Sequence, residues 1–311
     1  MRNPRIASMI FNQPLLITPD LMSMAVRWAN QQLQVNVINP PSVDAKSVDV
    51  DYNEPTERCS LEVYSGVAVI PAHGVLVSRM GHVDLCETMT SYEYLSRQLK
   101  AAVDDPDILE VVFDIDSNGG SATGAFEFAE EIYLARQVKK ITAIVNFSAY
   151  SGGYIIAAAC SEIIVSMTSG VGSIGVIAEH ADWSKYNDDI GVVITSVFKG
   201  SHKNDLTPNE PISEQSLQLL DNLTQESYEH FTSAVAKYRN LDIQVVIDTQ
   251  AGLYRGQKAV DVGLADRVEP PNIAISRIAQ STQGQIKETT RMDTNGRIGR
   301  ASQVMSMQVQ I

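Results

Sequence analysis

Twice in this chain an apolar, β-branched run leads into a glycine-rich turn and then straight into a helical pattern. That repeated junction limits the folds open to it. The first run is Ile108 to Ile115, followed by Asp116-Ser117-Asn118-Gly119-Gly120 and a helical pattern from Phe126 to Arg136. The second is Ile141 to Val145, followed by Asn146-Phe147-Ser148-Ala149-Tyr150-Ser151-Gly152-Gly153-Tyr154 and an apolar run to Cys160. Strand, helix, strand in succession calls for a parallel sheet with right-handed crossovers. Ser151 falls where a strand ends and a helix begins. A hydroxyl there stands clear of the sheet, and the first helical N–H groups point at whatever lies above it. The same residues also fit a tight turn with a helix-capping serine. Two such turns side by side can aim two N–H donors at one point, as an oxyanion hole requires. The first turn lacks the G-x-G-x-x-G spacing and the Lys-Ser/Thr of a phosphate loop.

Composition narrows the function class. The chain has 311 residues, 44% hydrophobic and 20% charged, with a net charge of -13. An acidic chain of ordinary hydrophobicity is expected to be globular and not to bind nucleic acid, whose phosphates select basic surfaces. Cys59, Cys86 and Cys160 have no pair spacing. They suit a reducing compartment and neither a disulfide framework nor a zinc site. No segment reaches the ~18 to 20 apolar residues of a membrane span. The start of the chain is interrupted by Asn12, Gln13 and Pro14 and reads as a poor secretory signal.

Read in order, residues 18–34 predict an amphipathic helix opened by Thr18-Pro19-Asp20, and residues 35–60 a polar linker, so residues 1–60 form an appendage. Residues 61–269 form the main domain. It has strands at Val67 to Pro71, Ile163 to Ser166 and Val192 to Val197, and helices at Ser91 to Val103, Ser213 to Arg239, Ile243 to Asp248 and Gln257 to Val262. After Pro270-Pro271 aromatics vanish, and residues 270–311 read as a flexible tail or the start of a scaffold-like extension. His73 lies in an apolar neighbourhood. It could pair with a catalytic serine, but no orienting carboxylate is visible along the chain, so a turn histidine is expected.

Four motifs carry a resemblance. They are Asp114-Ile115-Asp116-Ser117-Asn118-Gly119-Gly120, Ser148-Ala149-Tyr150-Ser151-Gly152-Gly153-Tyr154, Gly170-Val171-Gly172-Ser173-Ile174-Gly175-Val176-Ile177 and Lys199-Gly200-Ser201-His202-Lys203-Asn204-Asp205. In this order they resemble the signal-peptide-peptidase A family of serine proteases, and within it the capsid assembly (head maturation, lambda C-protein-like) branch of tailed phages. Ala251-Gly252-Leu253-Tyr254-Arg255-Gly256 and the N-terminal Phe11-Asn12-Gln13-Pro14-Leu15-Leu16-Ile17 add to it, so the resemblance spans about residues 8–268. It implies an α/β fold, the ClpP/crotonase-like spiral of β-β-α units, with an N-terminal helical appendage and a flexible C-terminal tail. It implies Ser151 as nucleophile, Lys203 as general base and Ser173 beside that lysine. The oxyanion donors would be Gly152 and one of Gly119 and Gly120. The turn reads Ser-Asn-Gly-Gly where the family usually has Ser-Pro-Gly-Gly; Asn118 can hold an extended or turn conformation without the proline.

A lysine base must be partly desolvated to accept a proton at neutral pH. Lys199 to Asp205 is hydrophilic, so Lys203 fits the role if a neighbouring subunit or the substrate closes a cleft over it. The resemblance further implies no cofactor and no metal, and protein or peptide substrates such as capsid, portal or scaffold proteins. It implies a homo-oligomeric ring with no membrane span, acting in the host cytoplasm inside an assembling procapsid. Alternatives are a signal-peptide-peptidase-like protease of short peptides, a crotonase-like acyl-CoA enzyme, whose expected glutamates are not obvious here, and a catalytically silent scaffold or adaptor.

Overall fold

Two long strands of the main sheet are each followed by a short strand that turns into a second sheet. In the computed structural model, which describes residues 11–19, 21–23, 26, 61–79 and 88–285, β1 is Leu15–Ile17 and β2 is Glu62–Tyr64. The first unit runs β3 (Val67–His73), β4 (Val75–Val77), β5 (Met89–Ser91) and α1 (Tyr92–Asp104). The second runs β6 (Glu110–Ser117), β7 (Gly119–Ser121) and α2 (Ala125–Ala135). The third runs β8 (Lys140–Tyr150) straight into α3 (Gly152–Ala159), then β9 (Glu162–Val165) and β10 (Gly170–Gly172). β3, β6, β8 and β9 pair in parallel in one sheet, while β4 and β7 pair in parallel in a smaller sheet that β1 and β5 complete. This is the predicted α/β spiral of β-β-α units.

The burial pattern explains the strand sequences. Ala68, Ile70 and Ala72 of β3, Val111, Phe113 and Ile115 of β6 and Ile141, Ala143 and Val145 of β8 are buried in the main core with α1, α2 and α3. The alternate residues Val67, Val112, Ile144 and Ile164 form a second cluster with Ala274 and Ile278. Ala274 and Ile278 belong to a helix over residues 271–285. The predicted tail therefore begins later than 270. A tail reading from low aromatic content missed that Ala274 and Ile278, four apart, make an apolar stripe on one helix face. Residues 286–311 lie outside the described residues.

α3 is buried all round, as its Gly-Gly-Tyr-Ile-Ile-Ala-Ala-Ala sequence demands. It packs beneath α5 (Glu214–Arg239), which follows α4 (Ser184–Asp189). α5 starts with Ser213 accepting the Ser216 N–H and ends on Asn240 in the left-handed conformation, as a long capped helix should. α6 (Ile243–Asp248), β11 (Leu253–Arg255), α7 (Gln257–Asp261) and β12 (Arg267–Val268) close the domain before the 271–285 helix, α8. Two expectations fail. The segment 11–17, assigned to an appendage, packs into the body: Phe11 and Leu15 to Ile17 are buried, and Leu15–Ile17 pairs antiparallel with β7 as β1. Val192 to Val197 is not a strand, and residues 188–203 are exposed throughout. Its contiguous Val-Val-Ile lacks the alternation that one-sided burial selects, so it has no single face to lay on this chain. Of the predicted 18–34 helix, residues 19, 21–23 and 26 are helical and the rest lie outside the described residues.

Candidate active site

β8 is bent just before the serine. Its parallel register with β6 runs to Val145↔Ile115, then resumes at Ala149↔Ser117, leaving three residues of β8 opposite one of β6. Such a bulge sharpens the local twist and re-aims the strand end. Ser151 then adopts φ 53 and ψ -115. This is the first central position of a type II′ turn, which ordinarily takes glycine. Holding a serine there costs about 1–3 kcal/mol, so its surroundings must impose it. The Ser151 N–H donates to the Gly172 carbonyl at 2.9 Å, and the Ser151 carbonyl accepts from Tyr154 N–H at 2.9 Å and Ile155 N–H at 3.2 Å. Its side chain is fully buried and its Oγ has no hydrogen-bond partner. The serine does not cap the helix, which removes the capping reading. An unpaired buried hydroxyl costs about 1–3 kcal/mol; beside two glycine turns it is poised for a base and a carbonyl.

The two turns touch. A Cβ added to Gly152 would lie 3.2 Å from the Gly119 Cα and 3.2 Å from the Gly120 nitrogen, and one on Gly119, at φ 103, 2.9 Å from the Gly152 nitrogen. The Gly152 N–H belongs to the first turn of α3, whose donors have no partner within the helix. The Gly119 N–H is committed: it donates to Ser117 Oγ at 3.1 Å, and that hydroxyl donates to the Gly74 carbonyl at 2.6 Å. Gly119 therefore shapes the turn, and Gly120, which pairs with Leu16 in the β1–β7 ladder, is the remaining donor candidate of the two.

Ser173 is buried, has φ 54, and follows the glycine whose carbonyl holds Ser151. Its own N–H donates to the Gly252 carbonyl at 2.9 Å. Ser151, Gly152, Gly119, Gly120 and Ser173 thus gather where β8 and β10 end and β7 begins. Lys203 does not join them. It is exposed, in a turn tied to the start of α5: Gln215 Nε2 donates to the Ser201 carbonyl at 3.0 Å and to Asp205 Oδ1 at 2.6 Å, and Leu206 N–H donates to Ser216 Oγ at 3.0 Å. Among the described residues no group of three His, Cys, Asp or Glu side chains is placed to hold a metal.

A polar cluster that sequence reasoning missed lies on the neighbouring sheet face. His73 Nε2 lies 3.0 Å from Asp114 Oδ2, Asn146 Nδ2 donates to Asp114 Oδ1 at 3.3 Å, and Ser148 Oγ donates to Asp116 Oδ1 at 3.2 Å. Of these, His73, Asp116 and Ser148 border a cavity of about 400 Å³ that Asn118 and Leu21 also line. The Asp114 hydrogen bond, with the charges of Asp114 and Asp116, raises the His73 pKa above its ordinary 6.5, although burial works against it. The carboxylate that sequence could not supply for His73 does exist, 41 residues away, brought alongside by the parallel β3–β6 register.

Residues 134–285 match the peptidase family S49. The chain is 33% identical over 287 residues to "Capsid assembly protease C" of Escherichia phage lambda, covering 89% of this chain and 65% of that protein. It is 31% identical over 297 residues to "Head-tail preconnector protein GP5" of Enterobacteria phage P21, covering 92% of this chain and 59% of that protein. It thus spans less than two thirds of the length of either relative. "Putative signal peptide peptidase SppA" of Enterococcus faecium is 32% identical over 177 residues, 55% of this chain and 50% of that protein. Among solved structures, a putative enoyl-CoA hydratase/isomerase from Legionella pneumophila aligns with a TM-score of 0.42 at 10% identity, covering 79% of this chain and 89% of that one.

Proposed function

Because this chain carries a peptidase S49 domain over residues 134–285, we propose that it is a serine endopeptidase with a Ser151–Lys203 dyad that processes capsid assembly proteins. The observation that carries this reading is Ser151 itself, strained at φ 53, fully buried, its Oγ unpartnered beside two apposed glycine turns. In the reaction Lys203 takes the Oγ proton as Ser151 attacks the peptide carbonyl. The Gly152 and Gly120 N–H groups stabilise the oxyanion, and the lysine returns the proton to the leaving amine. Water then repeats the cycle on the acyl-enzyme. Ser173 would orient the lysine amine.

Within one chain Lys203 is exposed and Ser151 Oγ has no partner, so the dyad is completed across an interface. The exposed Val193, Val197 and Phe198, at 87%, 90% and 45%, precede Lys203 on the same arm. An apolar run of this kind favours cover by another molecule, and a second copy in a ring supplies it. Substrates are then capsid, portal or scaffold proteins, met inside the procapsid in the host cytoplasm. This draws on the similarity to the two phage proteins and on what their names describe.

Co-expression with capsid partners, read by intact mass, tests the reading. Wild type should trim a partner or itself, and Ser151→Ala and Lys203→Ala should leave every chain intact. Identical masses from all three, with the variants still folded, would instead support the silent scaffold, which the exposure of Lys203 also favours.

A further inference from the structure

The chain's own N-terminal segment lies against the glycine turns beside Ser151. β1 lies antiparallel on β7 with Leu15↔Ser121, Leu16↔Gly120 and Ile17↔Gly119, so it pairs directly with the strand that carries the oxyanion turn. On its other edge Leu15 N–H donates to the Ile177 carbonyl at 2.9 Å, Ile177 N–H donates to the Leu15 carbonyl at 3.0 Å, and Asn12 N–H donates to the Glu179 carbonyl at 2.9 Å. An extended segment gripped by main-chain bonds on both edges is how sheets take up peptides. The Leu16 carbonyl oxygen lies against both turns. It would be 1.9 Å from a Cβ on Gly119 and 3.1 Å from a Cβ on Gly152. The Leu16 side chain is fully buried in the main core, while Leu15 and Ile17 sit in a separate apolar cluster with Phe11.

We propose that the slot between β7 and residues 177–179 is the peptide-binding groove, that it takes an extended peptide with a bulky aliphatic residue at the Leu16 position, and that residues 12–17 occupy it as an autoinhibitory strand. The substrate class follows from the occupant: main-chain pairing reads extended shape, and the pocket holding Leu16 reads an aliphatic side chain. This rests on Ser151 being the nucleophile. The same strand reaches the lysine loop. Asn12 Nδ2 donates to the Leu206 carbonyl at 3.0 Å, and Asn12 Oδ1 lies 2.9 Å from His180 Nδ1. Displacing it therefore opens the slot and releases one tether of the loop that carries Lys203.

The test uses a fluorophosphonate, which phosphonylates an accessible nucleophilic serine with loss of fluoride and needs no knowledge of the substrate. Leu15→Pro removes the N–H that binds Ile177 without altering buried Leu16. In the full chain it should label Ser151 at least tenfold faster than wild type. A synthetic peptide of residues 10–19 should slow that labelling, and the same peptide with Leu16→Asp should not. Equal labelling rates in wild type and Leu15→Pro, both melting cooperatively, overturn the proposal and leave Ser151 as nucleophile. Peptide binding to Leu15→Pro, seen by fluorescence anisotropy, without labelling of Ser151 in any variant keeps the groove and removes the nucleophile. Should Leu15→Pro fail to fold, the pair Leu15→Cys with Ile177→Cys replaces it. Oxidation should then suppress labelling about tenfold and reduction restore it; labelling indifferent to oxidation overturns the proposal.

Discussion

Ser151 holds a backbone conformation that its residue type resists, and the strain has a measurable sign. Replacing it by glycine removes both the φ penalty and the unpaired hydroxyl, against the larger unfolded-state entropy of glycine. Ser151→Gly should therefore be more stable than wild type by roughly 1 kcal/mol while losing all hydrolytic activity, as a denaturant titration and a peptidase assay would register. A second residue-scale prediction concerns His73. Its folded pKa is raised above 6.5, so the stabilisation from its pairing with Asp114 is fully present below pH 6.5 and is lost as pH rises through the folded value. The pair is partly exposed, with side chains at 39% and 27%, and solvent screening keeps the effect small. Melting temperatures of wild type and His73→Gln should diverge most below pH 6.5 and converge above the folded pKa; a gap constant with pH would show that the pair contributes nothing.

At the scale of elements, α8 belongs to the domain. It covers the sheet face opposite α1–α3, where Val67, Val112, Ile144 and Ile164 would otherwise meet water. Thr282 Oγ1 also donates to the Ser65 carbonyl at 2.8 Å, and Arg277 is paired with Glu269 at 2.8 Å. Ile278→Ala removes a fully buried side chain from this contact and should cost about 2–4 kcal/mol, measured by chemical denaturation. Wild-type stability in that variant would mean α8 is only loosely seated. Further along β3, β6 and β8 the same sheet face changes from Val67, Val112 and Ile144 to His73, Asp116 and Ser148. One face is thus apolar where α8 covers it and polar where the cavity opens.

At the scale of the whole molecule, the proposed nucleophile Ser151 is buried with no partner for its Oγ, while the proposed base Lys203 is exposed and follows an exposed apolar arm. If the dyad crosses an interface, Ser151→Ala and Lys203→Ala chains, each inactive alone, should regain activity when mixed and reassembled. The recovered activity should approach a quarter of wild type for randomly paired sites, since one site in four then joins an intact serine to an intact lysine. Substituting Val193 and Val197 with aspartate should shift sedimentation towards single chains and lower activity with it. Absence of complementation from a correctly assembled mixture would return Lys203 to a single-chain role or to none.

What could be read without the structure was whatever depends on neighbours along the chain. The apolar runs of β6 and β8, the glycine turns after them and the serine at the strand–helix junction follow from local sterics and periodicity, and so did the parallel sheet. α5 was legible for the same reason, its capped ends and spaced apolar residues being local signals. Tertiary structure alone decided what depends on register and on distant partners. The His73–Asp114 pair exists because two strands align 41 residues apart. The Gly119 N–H is taken because the Ser117 hydroxyl folds back to accept it. Residues 15–17 became a strand because β7 and Ile177 present two open edges to them. Val192 to Val197 pairs with no strand among the described residues. Backbone hydrogen bonds between strands carry no residue-type signature, so a sequence shows which segments are fit to pair and only the assembled fold selects their partners.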